Sequence, residues 1–267
     1  MLRVLKIGGS VLRSDESYAL VAAYLRERLA QAPAERLVVI VSARHGVTDT
    51  LLAAAERAVA APDQIALDLL WSTGELASVA LLTLHLQREG VAAAPLNVHQ
   101  VGLQAGGPAD PPGVTGVRPL RVLAALATAR VAVVPGFLAV RPGGAIGSLG
   151  RGGSDLTAVL LALALRADSC ELVKDVAGYY TADPHADPSA THIRNISIDT
   201  ALAMAEEGCD LVQPAALRAA AAGALPLTVR CLDAAAPVTH VEPVEAVQPR
   251  SESHGVRHED HPRRATV

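Results

Sequence analysis

One glycine-rich stretch has the residue types of an anion-binding site. It reads GRGGSD over residues 150–155 and precedes an apolar, helix-like segment, Leu156–Ala167. Free N–H groups at a helix N-terminus attract anions, and glycine lets a ligand approach the backbone closely. Arg151 adds a planar donor fork for a carboxylate or phosphate, and Ser154 is a typical helix cap. Asp155 is negatively charged, which indicates that the ligand also carries a cation. That cation would be a substrate ammonium group, a magnesium ion, or both. A loop followed by a capped helix explains the same residues equally well.

A second layout of this kind lies near the N-terminus. Lys6-Ile7-Gly8-Gly9-Ser10 follows a predicted strand, Arg3–Ile7, and precedes a predicted helix, Ser17–Gln31. A strand, a glycine turn and a helix together are typical of phosphate binding, although the order of a Walker A motif is absent. The Lys6 ammonium group at the end of the strand would reach a transferring phosphoryl group. A surface lysine before a turn is the alternative.

Polar residues also follow the next predicted strand, Leu37–Val41. The segment Ser42–Asp49 places hydroxyl groups, among them Ser42 and Thr48, at the strand's carboxyl end. That end is the usual ligand face of an open α/β sheet. In an ordinary loop, Thr48 or Asp49 would instead cap a helix over Thr50–Ala60.

A glycine and a carboxylate, Gly74 and Glu75, lie inside a long helical pattern, Pro62–Gly90. Gly74 lowers helix stability, so we predict a break there and a new helix beginning at Glu75. The Glu75 carboxylate would bind a substrate ammonium, or it would simply interact with the positive end of the helix.

A last polar segment follows the predicted strand Ser169–Lys174. In Asp175–Pro184, Tyr180 could stack on a purine, and Lys174, Asp175 and Asp183 could hydrogen-bond a nucleotide or support its metal. A turn-rich connection explains the segment as well, since Asp-Pro and Gly-Tyr are common in turns.

Composition limits the class of protein. About half of the 267 residues are hydrophobic and the net charge is −4, which gives no sign of a nucleic-acid footprint. Three widely spaced cysteines without a CxxC pair indicate reduced thiols in a cytoplasmic protein. The sequence shows no targeting segment, no apolar run of membrane-spanning length and no pattern that predicts a protein-bound metal site, so no membrane partner is expected.

Strands and helices alternate along the chain. The further predicted elements are strand Ala92–Val98, a loop or short hairpin over Gly102–Gly116, helix Pro119–Thr128, strand Arg130–Pro135, helices Ser197–Glu207 and Pro214–Ala222, and strand Leu225–Cys231. This order predicts an α/β protein with a mainly parallel sheet covered on both faces. From about Ala234 the pattern dissolves, which predicts a flexible tail over 234–267.

Taken together, these motifs resemble the amino acid kinase superfamily, and within it the catalytic domain of aspartokinases. The resemblance runs from Leu2 to about Cys231. GRGGSD and DVAGYYTADP, residues 150–155 and 175–184, are its most specific parts, and KIGGS, VSARHGVTD and STGE support it in the family's order. It implies a three-layer α/β/α sandwich over residues 1–233, with an acceptor-substrate lobe at about 1–145 and a nucleotide lobe at about 146–233.

The resemblance also implies a reaction and a set of roles. ATP, with Mg²⁺, would phosphorylate an amino-acid side-chain carboxylate, most simply converting L-aspartate to 4-phospho-L-aspartate. The implied catalytic residues are Lys6, Gly8, Gly9 and Asp155. The implied acceptor-binding residues are Ser42, Thr48, Glu75, Arg151, Ser154 and Asp155, with Glu75 and Asp155 on the substrate ammonium and Arg151 on its carboxylate. The implied nucleotide-binding residues are Lys6, Gly8, Gly9, Ser10, Lys174, Asp175, Tyr180 and Asp183.

The sequence departs from the aspartokinase pattern at several positions. Its first motif, Lys-Ile-Gly-Gly-Ser-Val, is closer to other branches of the superfamily, such as acetylglutamate and isopentenyl phosphate kinases. His185, Asp210 and Gln213 stand at positions in the nucleotide-side motifs where the family often has other residues, and two positive charges are lost. A kinase for another small acid and a non-catalytic nucleotide-binding regulatory or storage protein are therefore alternatives.

The family resemblance also bears on assembly and regulation. It implies a homo-oligomer, expected to be a dimer, and leaves room for a separate regulatory subunit. Aspartokinases normally continue into ACT regulatory domains, so feedback inhibition through such domains is not expected in this chain.

Overall fold

The computed structural model describes residues 1–106, 113–150, 152–184 and 186–243. Its strands are β1 (Leu2–Ile7), β2 (Arg36–Val41), β3 (Ala93–Pro95), β4 (Leu103–Gly106), β5 (Gly113–Val117), β6 (Val131–Pro135), β7 (Leu138–Val140), β8 (Ile146–Ser148), β9 (Ser169–Val173), β10 (Asn195–Ser197), β11 (Leu227–Arg230) and β12 (Thr239–Glu242). Its helices are α1 (Asp15–Gln31), α2 (Val47–Ala58), α3 (Gln64–Arg88), α4 (Val98–Val101), α5 (Leu120–Thr128), α6 (Gly153–Leu165), α7 (Ile198–Glu206) and α8 (Pro214–Ala222).

The central sheet has eight strands in the order β10-β12-β11-β9-β1-β2-β6-β3. All its neighbouring strands pair in parallel except β11 and β12. The expected mainly parallel α/β sheet is therefore confirmed. Strands such as β2 are apolar at almost every position because a parallel sheet in this fold class is buried on both faces.

Two hydrophobic cores cover the two faces of this sheet. Alternate residues of β1 belong to different cores. Val4 packs with residues of α6, α7 and α8, whereas Leu5 and Ile7 pack with residues of α1 and α3. This division follows from the two-residue repeat of a strand. It gives the three α/β/α layers expected from the sequence.

The register of the parallel strands brings four carboxyl ends to one edge. Ile7 lies opposite Val41 on one side and Val173 on the other, and Val41 lies opposite Pro135. The segments that follow these strands must therefore meet at this edge, and they contain most of the candidate site residues.

A smaller sheet with the order β5-β4-β7-β8 lies beside the central one. The segment Gly102–Gly116, predicted as a loop or hairpin, forms the antiparallel pair β4–β5, and residues 107–112 are outside the description. Next to the β7–β8 hairpin, the Arg141 guanidinium lies 3.1 Å from the fully buried Asp68 carboxylate of α3. This ion pair ties the small sheet to the long helix.

The predicted helix break at Gly74 is wrong. Helix α3 continues from Gln64 to Arg88 through Gly74 and Glu75. A Cβ atom on Gly74 would lie 3.1 Å from the Ala43 side chain and 3.0 Å from that of Val47. Glycine therefore serves close packing between α3 and the segment after β2, which outweighs its low helix propensity.

Several predicted boundaries also need correction. Helix α2 begins at Val47 with Gly46 as its N-cap, so Thr48 and Asp49 lie in its first turn and do not cap it. The strand predicted over Ala92–Val98 is reduced to the three-residue β3, because Asn97 caps the short α4.

The predicted tail also contains part of the central sheet. Strand β12, Thr239–Glu242, pairs with β11 and with β10, so the sheet continues beyond Ala234. Its backbone hydrogen bonds and the buried Thr239 and Val241 hold it in place. Residues 244–267 lie outside the described part of the chain.

Helix α3 is long and apolar enough to cross a membrane by length and composition. It packs against α1 and β6, however, and its buried residues include Asp68, Ser72 and Glu75. These are the features of a core helix, in which polar side chains are retained for contacts within the protein.

Candidate active site

Two lysines and one aspartate form an ion-pair cluster at the carboxyl edge of the central sheet. Lys6 Nζ lies 2.9 Å from Asp155 Oδ1, and Lys174 Nζ lies 2.8 Å from Asp155 Oδ2. All three side chains are buried, with relative exposures of 7%, 9% and 2% for Lys6, Lys174 and Asp155. Lys6 is the second-last residue of β1, Lys174 follows β9, and Asp155 lies in the first turn of α6. The Asp155 carboxylate therefore holds both ammonium groups at one place.

The cluster carries one excess positive charge. Burial alone would raise the pKa of Asp155, but the charges of Lys6 and Lys174 outweigh it and lower that pKa to about 2. For Lys174, burial and the neighbouring Lys6 charge lower the pKa to about 8, against the opposing effect of Asp155. An anion arriving between the lysines would offset their repulsion. The arrangement is suited to bind a group on which negative charge accumulates.

The glycine turn after β1 lies against this cluster. A Cβ atom on Gly8 would be 3.4 Å from Lys6 Nζ, and one on Gly9 would be 2.8 Å from the Ala43 carbonyl oxygen. Gly9 is thus required for the close approach of two loops. The Gly8 N–H group donates to the Val173 carbonyl oxygen at 3.2 Å, so of the two predicted backbone donors, Gly9 is the one that remains for a ligand.

Helix α6 begins differently from the sequence prediction. Its N-cap is Gly152, in the left-handed conformation with φ 75°, and no side chain caps the helix. Ser154 is therefore not the cap. Its hydroxyl oxygen accepts a hydrogen bond from the Ser42 hydroxyl at 3.1 Å, which brings two of the predicted acceptor-binding residues together. Arg151 lies outside the described residues.

Glu75 is a buried carboxyl group close to this cluster. It projects from α3 toward the backbone N–H groups of Ala43 and Gly136, and its Oε2 atom has no hydrogen-bond partner in the described part of the chain. Burial raises its pKa to about 8, although those N–H groups and the Lys6 charge act in the opposite direction. Such a group is ready to ionise when a ligand brings a cation to it.

Ser10, Asp175 and Arg13 form a second polar group at the same edge. The Ser10 hydroxyl donates to Asp175 Oδ1 at 2.9 Å, and Arg13 Nη2 lies 3.3 Å from Asp175 Oδ2. Arg13 belongs to none of the motifs, so the sequence alone did not indicate it. Thr48, half-buried in the first turn of α2, follows directly on Val47, whose side chain packs against Gly74.

The segment after Lys174 leads into a cavity of about 370 Å³. Tyr180 and Asp183 line it, and so does Asp210. Met204 and Cys209 are among its other lining residues, and the sequence had indicated no site role for either of them. Gln213 lies outside this lining and packs against Gly152, since a Cβ atom there would be 2.0 Å from Gln213 Cγ. His185 is not among the described residues.

Comparison with known proteins identifies the family of this chain. The model of the amino acid kinase family matches residues 1–231 of the chain. The chain belongs to the amino acid kinase family. This membership accounts for the parallel sheet and for glycine-rich turns at the carboxyl ends of its strands.

Its relatives and structural neighbours include aspartokinases. An aspartokinase of Thermus thermophilus is 41% identical over 219 residues, 81% of this chain and 53% of that protein. An aspartate kinase of Pseudomonas putida is 36% identical over 85% of this chain and 55% of that protein. The chain thus spans about half the length of the curated relatives it matches. The aspartate kinase structure from Synechocystis superposes with a TM-score of 0.78 at 34% identity, covering 92% of this chain and 40% of that one.

A further structural neighbour supports the fold. E. coli aspartokinase III, solved in complex with aspartate and ADP, has a TM-score of 0.80 at 24% identity and covers 92% of this chain and 66% of that one.

Proposed function

We propose that this chain transfers the γ-phosphoryl group of ATP to the side-chain carboxylate of an amino acid, with L-aspartate as the first candidate. The observation that carries the proposal is the Lys6–Asp155–Lys174 cluster at the carboxyl edge of the sheet, with the buried Glu75 carboxyl beside it. The similarity to aspartokinases supports aspartate as the acceptor rather than another acid.

The lysines would supply electrostatic stabilisation. Negative charge spreads over the oxygens of a phosphoryl group during transfer, and fixed positive charges in a site that excludes water lower the energy of that state. Asp155 holds both ammonium groups in position, so they need not reorganise when the reaction occurs. With both Asp155 oxygens paired to lysines, we assign it this positioning role and leave the substrate ammonium to Glu75.

The acceptor needs no general base, because an ionised carboxylate is already a nucleophile. Glu75 would fix the acceptor by its ammonium group, and the Ser42 and Ser154 hydroxyls with Thr48 would offer further hydrogen bonds. Arg151 remains the predicted partner of the acceptor's second carboxylate. The cavity lined by Tyr180 and Asp183 would take the nucleotide, with Ser10 and Asp175 at its phosphate end.

Magnesium would enter with ATP as part of the substrate. The described residues hold no group of three His, Cys, Asp or Glu side chains that could bind a metal ion on their own. Mg²⁺ in kinases is commonly held by nucleotide phosphates, water and one or two carboxylates. Asp175, exposed beside Ser10, fits such a supporting role.

The test is formation of a hydroxylamine-trappable acyl phosphate from Mg-ATP. We expect product with L-aspartate, measured beside glutamate and other small acids, and equal activity in the control Arg121→Gln, which alters an exposed residue of α5. Product from another acid, with none from L-aspartate, would identify the chain as a kinase for that acid. Nucleotide binding without any product would favour a non-catalytic nucleotide-binding protein, for which Asp210 in the cavity wall is the supporting observation.

Changing Glu75 to glutamine should raise the KM for aspartate by about 10- to 100-fold, because a charge-assisted hydrogen bond to the substrate ammonium is lost. In the unchanged protein the KM should fall as the pH rises through about 8, since Glu75 with its pKa near 8 then gains its negative charge. The glutamine variant should lose this pH dependence. A KM that is insensitive to the substitution would contradict the assignment.

Stability gives an independent check on Glu75. Its pKa is raised from 4.5 to about 8, so between these values the folded chain binds a proton that the unfolded chain does not. The free energy of unfolding should therefore fall as the pH rises over this interval, and Glu75→Gln should remove that contribution.

The cellular setting and assembly remain predictions. We expect a cytoplasmic homodimer that binds neither nucleic acid nor membranes, and size-exclusion chromatography with light scattering tests the dimer. A separate regulatory subunit remains an open expectation.

A further inference from the structure

One half of the central sheet has a polar surface that faces away from α6, α7 and α8. Alternate residues of β9 and β11 pack into the core, whereas Ser169 and Glu171 of β9 and Thr228 and Arg230 of β11 point to the other side. Together with His240 of β12, they form the floor of a cavity of about 520 Å³. Helix α1 reaches this floor through the ion pair between Arg28 and Glu171.

The strand register shows that this floor is continuous. Glu171 lies opposite Thr228, and Thr228 lies opposite His240. Neighbouring strands are about 4.8 Å apart, so these side chains form a row across three strands. Arg194 lies next to the row, since its carbonyl oxygen accepts a hydrogen bond from the backbone N–H of His240.

The lining of the cavity is strongly basic. Arg3, Arg194, Arg230, His192 and His240 contribute to it, against one carboxylate, Glu171.

The Glu171 carboxylate is already neutralised, chiefly by Arg28, which is not among the residues that line this cavity. Arg28 donates to both oxygens of Glu171, at 2.6 and 2.8 Å, and Arg3 and Arg230 lie 3.5 and 3.9 Å from it. Glu35 pairs with Arg3 and Arg28. The three arginines thus exceed the two glutamates by one positive charge.

Two groups in the lining lack partners. The Arg194 guanidinium is exposed and makes no hydrogen bond or ion pair with other described residues, so it adds a second uncompensated charge. The Ser169 hydroxyl oxygen is buried and likewise has no hydrogen-bond partner among them. The cavity lining and the ion pairs behind it therefore carry two excess positive charges, and the lining also has free hydrogen-bond donors.

We propose that this cavity binds a small dianionic ligand, either a phosphate group or a dicarboxylate. Arginine forks match both kinds of oxyanion through paired hydrogen bonds, and two negative charges would balance the excess. The site is separate from the catalytic cluster: Arg3 lies three residues before Lys6 on β1, or about 10 Å along the strand. One side chain links it to the nucleotide side, since the His192 ring lies 5.2 Å from that of Tyr180.

Calorimetric titration of the full chain with inorganic phosphate, and separately with succinate, tests this site. We expect Arg194→Gln to weaken binding of the preferred anion by about tenfold or more, which corresponds to one charge-assisted hydrogen bond. Arg194 is exposed, so this variant should fold normally. The control Arg121→Gln removes an equally exposed arginine on α5 and should leave the affinity unchanged.

A second variant separates this site from the catalytic end. Lys174→Gln should abolish any anion binding at the Lys6–Asp155–Lys174 cluster and leave binding near Arg194 intact. The outcome therefore does not depend on the proposed kinase activity. Tighter binding of phosphate or of succinate identifies the class of ligand. The proposal is overturned if neither anion binds, if Arg194→Gln binds as tightly as the unchanged chain, or if Lys174→Gln removes all binding.

Discussion

Replacing Lys6 by methionine should lower the rate of acyl phosphate formation by about 10²- to 10³-fold, the usual effect of removing one preorganised group that stabilises transition-state charge. Methionine keeps much of the length of the side chain and removes the charge. Lys6 is the second-last residue of β1, and Asp155 fixes its ammonium group at 2.9 Å. The measurement is kcat at saturating Mg-ATP and aspartate.

The fold should tolerate this change. Asp155 keeps its second partner, Lys174, at 2.8 Å, and one of two neighbouring positive charges is removed. Because the Lys6 charge contributes to the lowered pKa of Lys174, the pKa of Lys174 should rise in the variant. Thermal unfolding of Lys6→Met should therefore stay close to that of the unchanged protein. Turnover within about tenfold of that of the unchanged protein would show that Lys6 does not stabilise the transferring group.

The second large effect is expected for Asp155→Asn, which should destabilise the fold by about 3–5 kcal/mol, because it leaves two buried ammonium groups without their counter-charge. Turnover should fall as well, since the lysines lose the group that positions them. Chemical denaturation measures the first effect and the acyl phosphate assay measures the second.

A double variant tests whether the loss of stability in Asp155→Asn comes from the unpaired lysine charges. Asp155→Asn combined with Lys174→Met removes one of the unpaired charges, so it should recover part of the stability lost in Asp155→Asn alone. Additive losses in the double variant would contradict a direct ion pair between the two residues, since residues in one network are expected to couple.

The sequence by itself determined the fold class and most of its elements. Buried strands such as β2 are continuous apolar runs in the sequence, and helix α8 has the bounds that the sequence predicted. Both kinds of pattern depend on residues that are neighbours in the chain, so they can be recognised without the tertiary structure. The motifs at the strand ends also indicated Lys6, Asp155 and Lys174, since parallel strands bring their carboxyl ends to one edge.

The tertiary structure alone decided how these residues are paired. The sequence placed Lys174 on the nucleotide side and Asp155 on a substrate ammonium, whereas the fold joins Asp155 to both lysines. It also continued α3 through Gly74, where packing against Ala43 outweighs helix propensity. The basic cavity around Arg194 was invisible in the sequence, because its residues come from separate strands. Such contacts depend on strand order and register, which residues adjacent in the chain do not encode.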